Sequence, residues 1–146
     1  MKLVYFLALL SLCISLNAHP VSEPTEVPPP GGLEDADVND EAVKNAAAFA
    51  VGEIDKQQDS EHKLVLVEII SAQAQIVSGT MYYLELEIGE SNCTKGIDVA
   101  TTECIVQQNS NNQICSVQVL EVQWENILEA SNINCVPKSE SQKKKS

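Results

Sequence analysis

The chain has 146 residues, with nine lysines, no arginine and 21 acidic residues, for a formal net charge of −12. This balance excludes nucleic acid as a partner, because binding phosphates takes clustered cations; it favours solubility and encounter with a basic partner. Once a leader is removed about 125 residues remain, enough for one domain and no second core.

The leader is residues 1–18. Lys2 supplies the positive start, Leu3 to Leu16 the apolar run, and small or polar residues through Ala18 the cleavage region. That run is shorter than the roughly 20 residues a bilayer-spanning helix needs, and no other stretch approaches the length. The expected protein is therefore secreted and extracellular, with no membrane association. Its surroundings are oxidising, which makes the cysteines structural candidates. Cys13 leaves with the leader, and Cys93, Cys104, Cys115 and Cys135 remain. Four cysteines allow three pairings, and joining neighbours would close two short loops. Zinc and other metals are not expected: there is no CxxC, His19 adjoins the cleavage point, and His62 stands alone.

Residues 19–30 form a Pro-rich acidic arm. Pro20, Pro24 and the run Pro28, Pro29, Pro30 favour an extended backbone and forbid a helix. Gly31 and Gly32 release that restriction where the arm meets the domain. A helix follows, with Asp37, Asn39 and Asp40 as capping candidates. Val43, Ala46, Ala47, Ala50 and Ile54 recur at three- and four-residue spacing, and the helix is expected to end near Gln57. Beyond Lys63 the chain reads as strand. Leu64 to Ile70 is a β-branched apolar run, Tyr82, Leu84, Leu86 and Ile88 alternate with Tyr83, Glu85 and Glu87, and Val117 and Val119 continue the alternation. A last strand can be drawn through Ile127 to Val136, although its periodicity is poor. The polar tail, residues 138–146, is expected to be disordered. One helix ahead of antiparallel strands predicts an α+β layer fold.

Two features exceed what folding requires. Gln75-Ile76-Val77-Ser78-Gly79 breaks the alternation between the first two long strands and marks a hairpin tip, where apolar Ile76 and Val77 are out of place. Trp124, the only tryptophan, sits in Gln123-Trp124-Glu125-Asn126, where one strand should turn into the next. Such a residue either closes a core or anchors a partner.

On these residues the chain resembles the secreted, type 2 cystatins over Gly31 to Cys135. Their pattern is an early glycine, a helix, a QxVxG hairpin, four cysteines paired one-two and three-four, and a second hairpin with tryptophan. Here these are Gly31 or Gly32, the helix carrying Asn45-Ala46-Ala47-Ala48-Phe49-Ala50-Val51-Gly52-Glu53, Gln75 to Gly79, the four cysteines, and Trp124. The resemblance implies a cystatin domain over residues 31–137, with an antiparallel five-stranded β-sheet wrapped around one long α-helix. It also implies disulfides Cys93–Cys104 and Cys115–Cys135.

The function it implies is reversible, tight-binding competitive inhibition of papain-like cysteine proteases of the cathepsin L, B and S type, by a monomer without cofactor or metal. Gly31, Gly32, Gln75, Ile76, Val77, Ser78, Gly79, Gln123 and Trp124 would occlude the active-site cleft. The chain departs from the pattern at Gln123, where the family usually has proline, and in its proline arm. It also lacks the Ser-Asn pair after the helix that carries legumain inhibition, reading Asp55-Lys56-Gln57-Gln58-Asp59-Ser60 instead, so legumain is not an expected partner. An enzyme is not expected, because no Ser-His-Asp or Cys-His set can be assembled. The alternative is a non-inhibitory cystatin-fold binding or defence protein.

Overall fold

The computed structural model describes residues 31–97 and 103–143. The expected signal peptide and arm, residues 1–30, lie outside the described residues. In chain order the elements are β1 (Leu33–Asp35), α1 (Glu41–Gln57), β2 (His62–Val77), β3 (Gly79–Thr94), β4 (Gln113–Val122), β5 (Ile127–Pro137) and α2 (Lys138–Lys143). The five strands form one antiparallel sheet in the order β1-β2-β3-β4-β5.

Helix α1 starts where Asp40 is extended and its carboxylate accepts the amide of Ala42 at 2.8 Å. This satisfies one of the donors that a helix start leaves over. The helix ends at Gln57, where the spacing of its apolar residues predicts. Lys95, from beyond β3, donates to the carbonyls of Asp55 at 2.6 Å and Gln58 at 2.7 Å, while the Asp55 carboxylate accepts from the amide of Leu64 at 2.9 Å. One lysine and one aspartate thus fasten the helix C-terminus to the first residues of β2 and the chain leaving β3.

The apolar stripe of α1, Val43, Ala46, Ala47, Ala50, Val51 and Ile54, is buried against Leu64, Ala72, Tyr82, Leu84, Leu86, Ile88, Val117 and Val119 of the sheet. Three alanines in that stripe let the backbones of helix and sheet approach closely. Each fully buried Leu or Ile contributes about 1.5–3 kcal/mol of burial. Strand β2 shifts register against β3 between Leu66 and Glu68 and again between Ile69 and Ser71. Such bulges bend a strand and raise its twist, which suits a 16-residue strand that packs one face on a helix.

Both disulfides join sequence neighbours. Cys115 and Cys135 are cross-strand partners on β4 and β5, and Cys93 at the end of β3 bonds to Cys104.

Two expectations need correction. The tail beyond Pro137, expected to be disordered, is helical from Lys138 to Lys143. It is held from outside its own sequence: the Lys138 amide donates to the carbonyl of Asn112 at 2.9 Å, and its ammonium pairs with Glu87 at 2.7 Å. Glu87 itself is a nearly buried carboxylate that also accepts from Asn112 Nδ2 at 2.6 Å. The break in alternation at Gln75–Gly79 is also much shorter than expected. Strand pairing continues through Gln75↔Met81, Ile76↔Thr80 and Val77↔Gly79, and only Ser78 lies between the strands.

Candidate functional site

Three segments end together at one edge of the fold. The register Leu33↔Gln75 sets the start of β1 beside the last residues of β2, and Thr80↔Glu121 sets the first residues of β3 beside the last of β4. The entry glycines, the β2–β3 tip and the β4–β5 turn therefore share one end of the sheet. The disulfides and the Lys95 clasp belong to residues farther along the strands.

The first segment turns into β1 at Gly31, whose φ of 87° lies in the left-handed region that glycine adopts without penalty. Its carbonyl accepts a hydrogen bond from Gln75 Nε2 at 2.8 Å, and Gln75 Oε1 accepts one from the hydroxyl of Tyr83 at 3.0 Å. Gln75 is half-buried, with both ends of its amide engaged.

The second segment is the β2–β3 tip. Ile76 is 64% exposed and Val77 45%. Gly79 has a φ of 128°, and a Cβ there would collide with the carbonyl oxygen of Glu121 and stand 3.0 Å from Val122 Cγ2. The two hairpins touch at this point, and only a residue without a side chain permits it.

The third segment is a short 3-10 turn, Gln123–Glu125, closed by the Asn126 amide donating to the Gln123 carbonyl at 3.3 Å. Asn126 takes the left-handed conformation, which asparagine tolerates better than most residues. Trp124 is 70% exposed on this turn, so it closes no core. Leu33, Ile127 and Leu128 add further exposed apolar surface to the three segments.

The electrostatics are quiet. Tyr82, whose hydroxyl lies 3.4 Å from Glu121 Oε2, is held above the ordinary tyrosine range, chiefly by burial and then by the Glu121 charge. Among the described residues no group of three His, Cys, Asp or Glu side chains is placed to hold a metal, and no buried side-chain nitrogen or oxygen lacks a partner.

Of the residues singled out in the sequence, Gly31, Gln75, Ile76, Val77, Ser78 and Gly79 lie together, with Gly32 between Gly31 and β1. Gln123 and Trp124 occupy the adjoining hairpin. Sequence reasoning missed Tyr83 and Glu121. Tyr83 carries a faint signal, an aromatic on the outward side of an alternating strand.

Comparison with known proteins agrees with this architecture. Residues 31–124 match the Cystatin domain family. Human Cystatin-SA is 36% identical over 107 residues, covering 72% of this chain and 76% of its own. Bovine Cystatin-C is 34% identical over 108 residues, covering 72% of each chain. The solved structure of dimeric human cystatin F superimposes with a TM-score of 0.71 at 25% identity, covering 82% of this chain and 97% of that one. The chain belongs to the cystatin family, is of its type 2 branch, and is an inhibitor of proteases rather than an enzyme.

Proposed function

We propose that this chain blocks papain-like cysteine proteases of the cathepsin L, B and S type, by seating the edge formed by Gly31–Gly32, the β2–β3 tip and the Gln123–Trp124 turn in the active-site cleft. The observation that carries the reading is the exposure of Ile76, Val77 and Trp124 at one end of a sheet whose other apolar residues mostly pack inward. Large apolar side chains facing water on adjoining tips gain about 25 cal/mol per Å² when a partner covers them. The tips are already shaped by strand pairing and the 3-10 turn, so little conformational entropy is lost on docking.

In this arrangement Val77 and Ser78 approach the catalytic cysteine and histidine without offering a carbonyl for attack. Trp124 covers the primed side, and Gly31 and Gly32 face the non-primed subsites. The bond from Asn126 to Gln123 and the left-handed Asn126 shape the second tip without the proline usual there, which favours inhibition over a non-inhibitory role. The protein acts as a secreted, extracellular monomer and does not inhibit legumain.

Titration of active-site-calibrated papain and cathepsin L tests the reading. Full inhibition relieved by rising substrate is expected, with no inhibition of legumain. Papain activity unchanged at micromolar inhibitor would overturn it.

A further inference from the structure

We infer that Gln75 is a positioning residue: braced by Tyr83, it pins Gly31, where the arm joins the domain, to the β2–β3 hairpin. The inference deepens the proposed function and rests on it.

Strand β1 has three residues, all exposed, and lies at the edge of the sheet. So short an edge strand frays unless side chains hold it. Two glutamines of β2 do so. Gln73 Nε2 donates to the Asp35 carboxylate at 3.0 Å, at the inner end of β1, and Gln75 Nε2 donates to the Gly31 carbonyl at 2.8 Å, just before its outer end.

The second bond depends on how the Gln75 amide is turned. The Gly31 carbonyl only accepts, so it already favours Nε2 over Oε1, and the Tyr83 hydroxyl reinforces that orientation by donating to Gln75 Oε1 at 3.0 Å. Tyr83 is within reach because the hairpin register sets it across from Gln73 and near Gln75. Tyr83, Gln75 and Gly31 thus form one line of donors and acceptors running from β3 across β2 to the arm.

Gly31 takes one N–H of Gln75 and Tyr83 engages its oxygen, so this side chain is tied within the inhibitor, whereas its neighbours Ile76 and Val77 point into solvent.

Tyr83→Phe deletes a single oxygen. Gln75→Glu keeps an acceptor for Tyr83 but has no N–H for Gly31. In the full chain each variant should speed hydrogen exchange of the amides in 33–35 about fivefold or more, with the melting temperature nearly unmoved. Each should raise the dissociation rate from papain about fivefold while the association rate stays within twofold. The double variant should resemble Gln75→Glu alone, because both changes cut the same line.

Unchanged exchange at 33–35 in both variants would overturn the brace. Faster exchange with unaltered dissociation would overturn its role in binding. If the unmodified chain fails to inhibit papain, the inhibitor reading falls and the positioning role falls with it, whereas the exchange measurement decides the brace by itself.

Discussion

The carbonyl oxygen of Glu121 occupies the space that a side chain at Gly79 would need. Through that contact the first hairpin leans on the second, so the tip carrying Val77 and the turn carrying Trp124 keep a fixed relation. Gly79→Ala must push the hairpins apart and also place alanine at a φ of 128°. The expected cost is about 1–3 kcal/mol of stability, with a larger proportional loss of protease affinity than stability alone explains. Urea melts beside inhibition constants check this, and an unchanged melt would show that the hairpins do not bear on each other.

The clasp at the far end of α1 is a matter of stability only. Lys95→Met removes two hydrogen bonds to helix carbonyls and the ion pair with Asp55 at 3.2 Å, leaving the carbonyls of the last turn without that donor. A loss of about 1–3 kcal/mol is expected, seen as a lower urea midpoint with an unchanged slope. Affinity for the protease should not change.

Acid should loosen the C-terminal helix. The hydrogen bond from Lys138 holds the Glu87 carboxyl below the ordinary glutamate range, with Asn112 helping and burial opposing. A depressed carboxylate contributes stability that is complete above its unfolded value of about 4.3 and is lost as pH falls through the lower folded value. Lys138 is nearly half exposed, so screening limits the contribution to about 1 kcal/mol. Glu87→Gln should therefore lose less stability than the unmodified chain between pH 5 and pH 2, as thermal melts across that range would show. Parallel curves for the two proteins would contradict it.

The bond between Cys115 and Cys135 closes a loop of sequence separation 20 and ties the edge strand β5 to β4. Replacing both by serine should cost about 3 kcal/mol on the chain-entropy account. Denaturant melts under oxidising conditions measure it, and a loss below 1 kcal/mol would mean that the unfolded chain gains little freedom without the bond.

Much of this molecule can be read from residue spacing. Val43, Ala46, Ala47, Ala50 and Ile54 define the buried stripe of α1, and the alternation of Tyr82, Leu84, Leu86 and Ile88 defines the buried face of β3, as the local period requires; Glu87, on the other face, is buried against the period, where Lys138 and Asn112 bond it. Strand β1 shows no such period, since Leu33, Glu34 and Asp35 are all exposed and are held by glutamines some forty residues away. The poor periodicity of β5 has two causes: it is an edge strand, and its pairing slips opposite Ser116 and Gln118, where Asn132 turns to a φ of 51°. Helix α2 depends on Asn112 and Glu87, which no tail composition can reveal. Among the site residues, the oddity of Ile76, Val77 and Trp124 is visible in the sequence as apolar residues at turns. The Tyr83–Gln75–Gly31 line becomes visible only when the hairpin register brings the three together.

Val77→Asp probes the proposed entry of the β2–β3 tip into a protease cleft. At a solvent-exposed tip the new carboxylate is well hydrated, so folding should be untouched and the melting temperature should move by no more than a degree or two. Buried against a catalytic pair, the same carboxylate is desolvated without a partner. The inhibition constant for papain should rise a hundredfold or more, a loss of at least about 2.7 kcal/mol. Trp124→Ala, measured in parallel, should lose less. Inhibition constants unchanged in both variants, with intact melts, would rule out the cleft-blocking role and leave a cystatin fold whose exposed edge serves some other purpose.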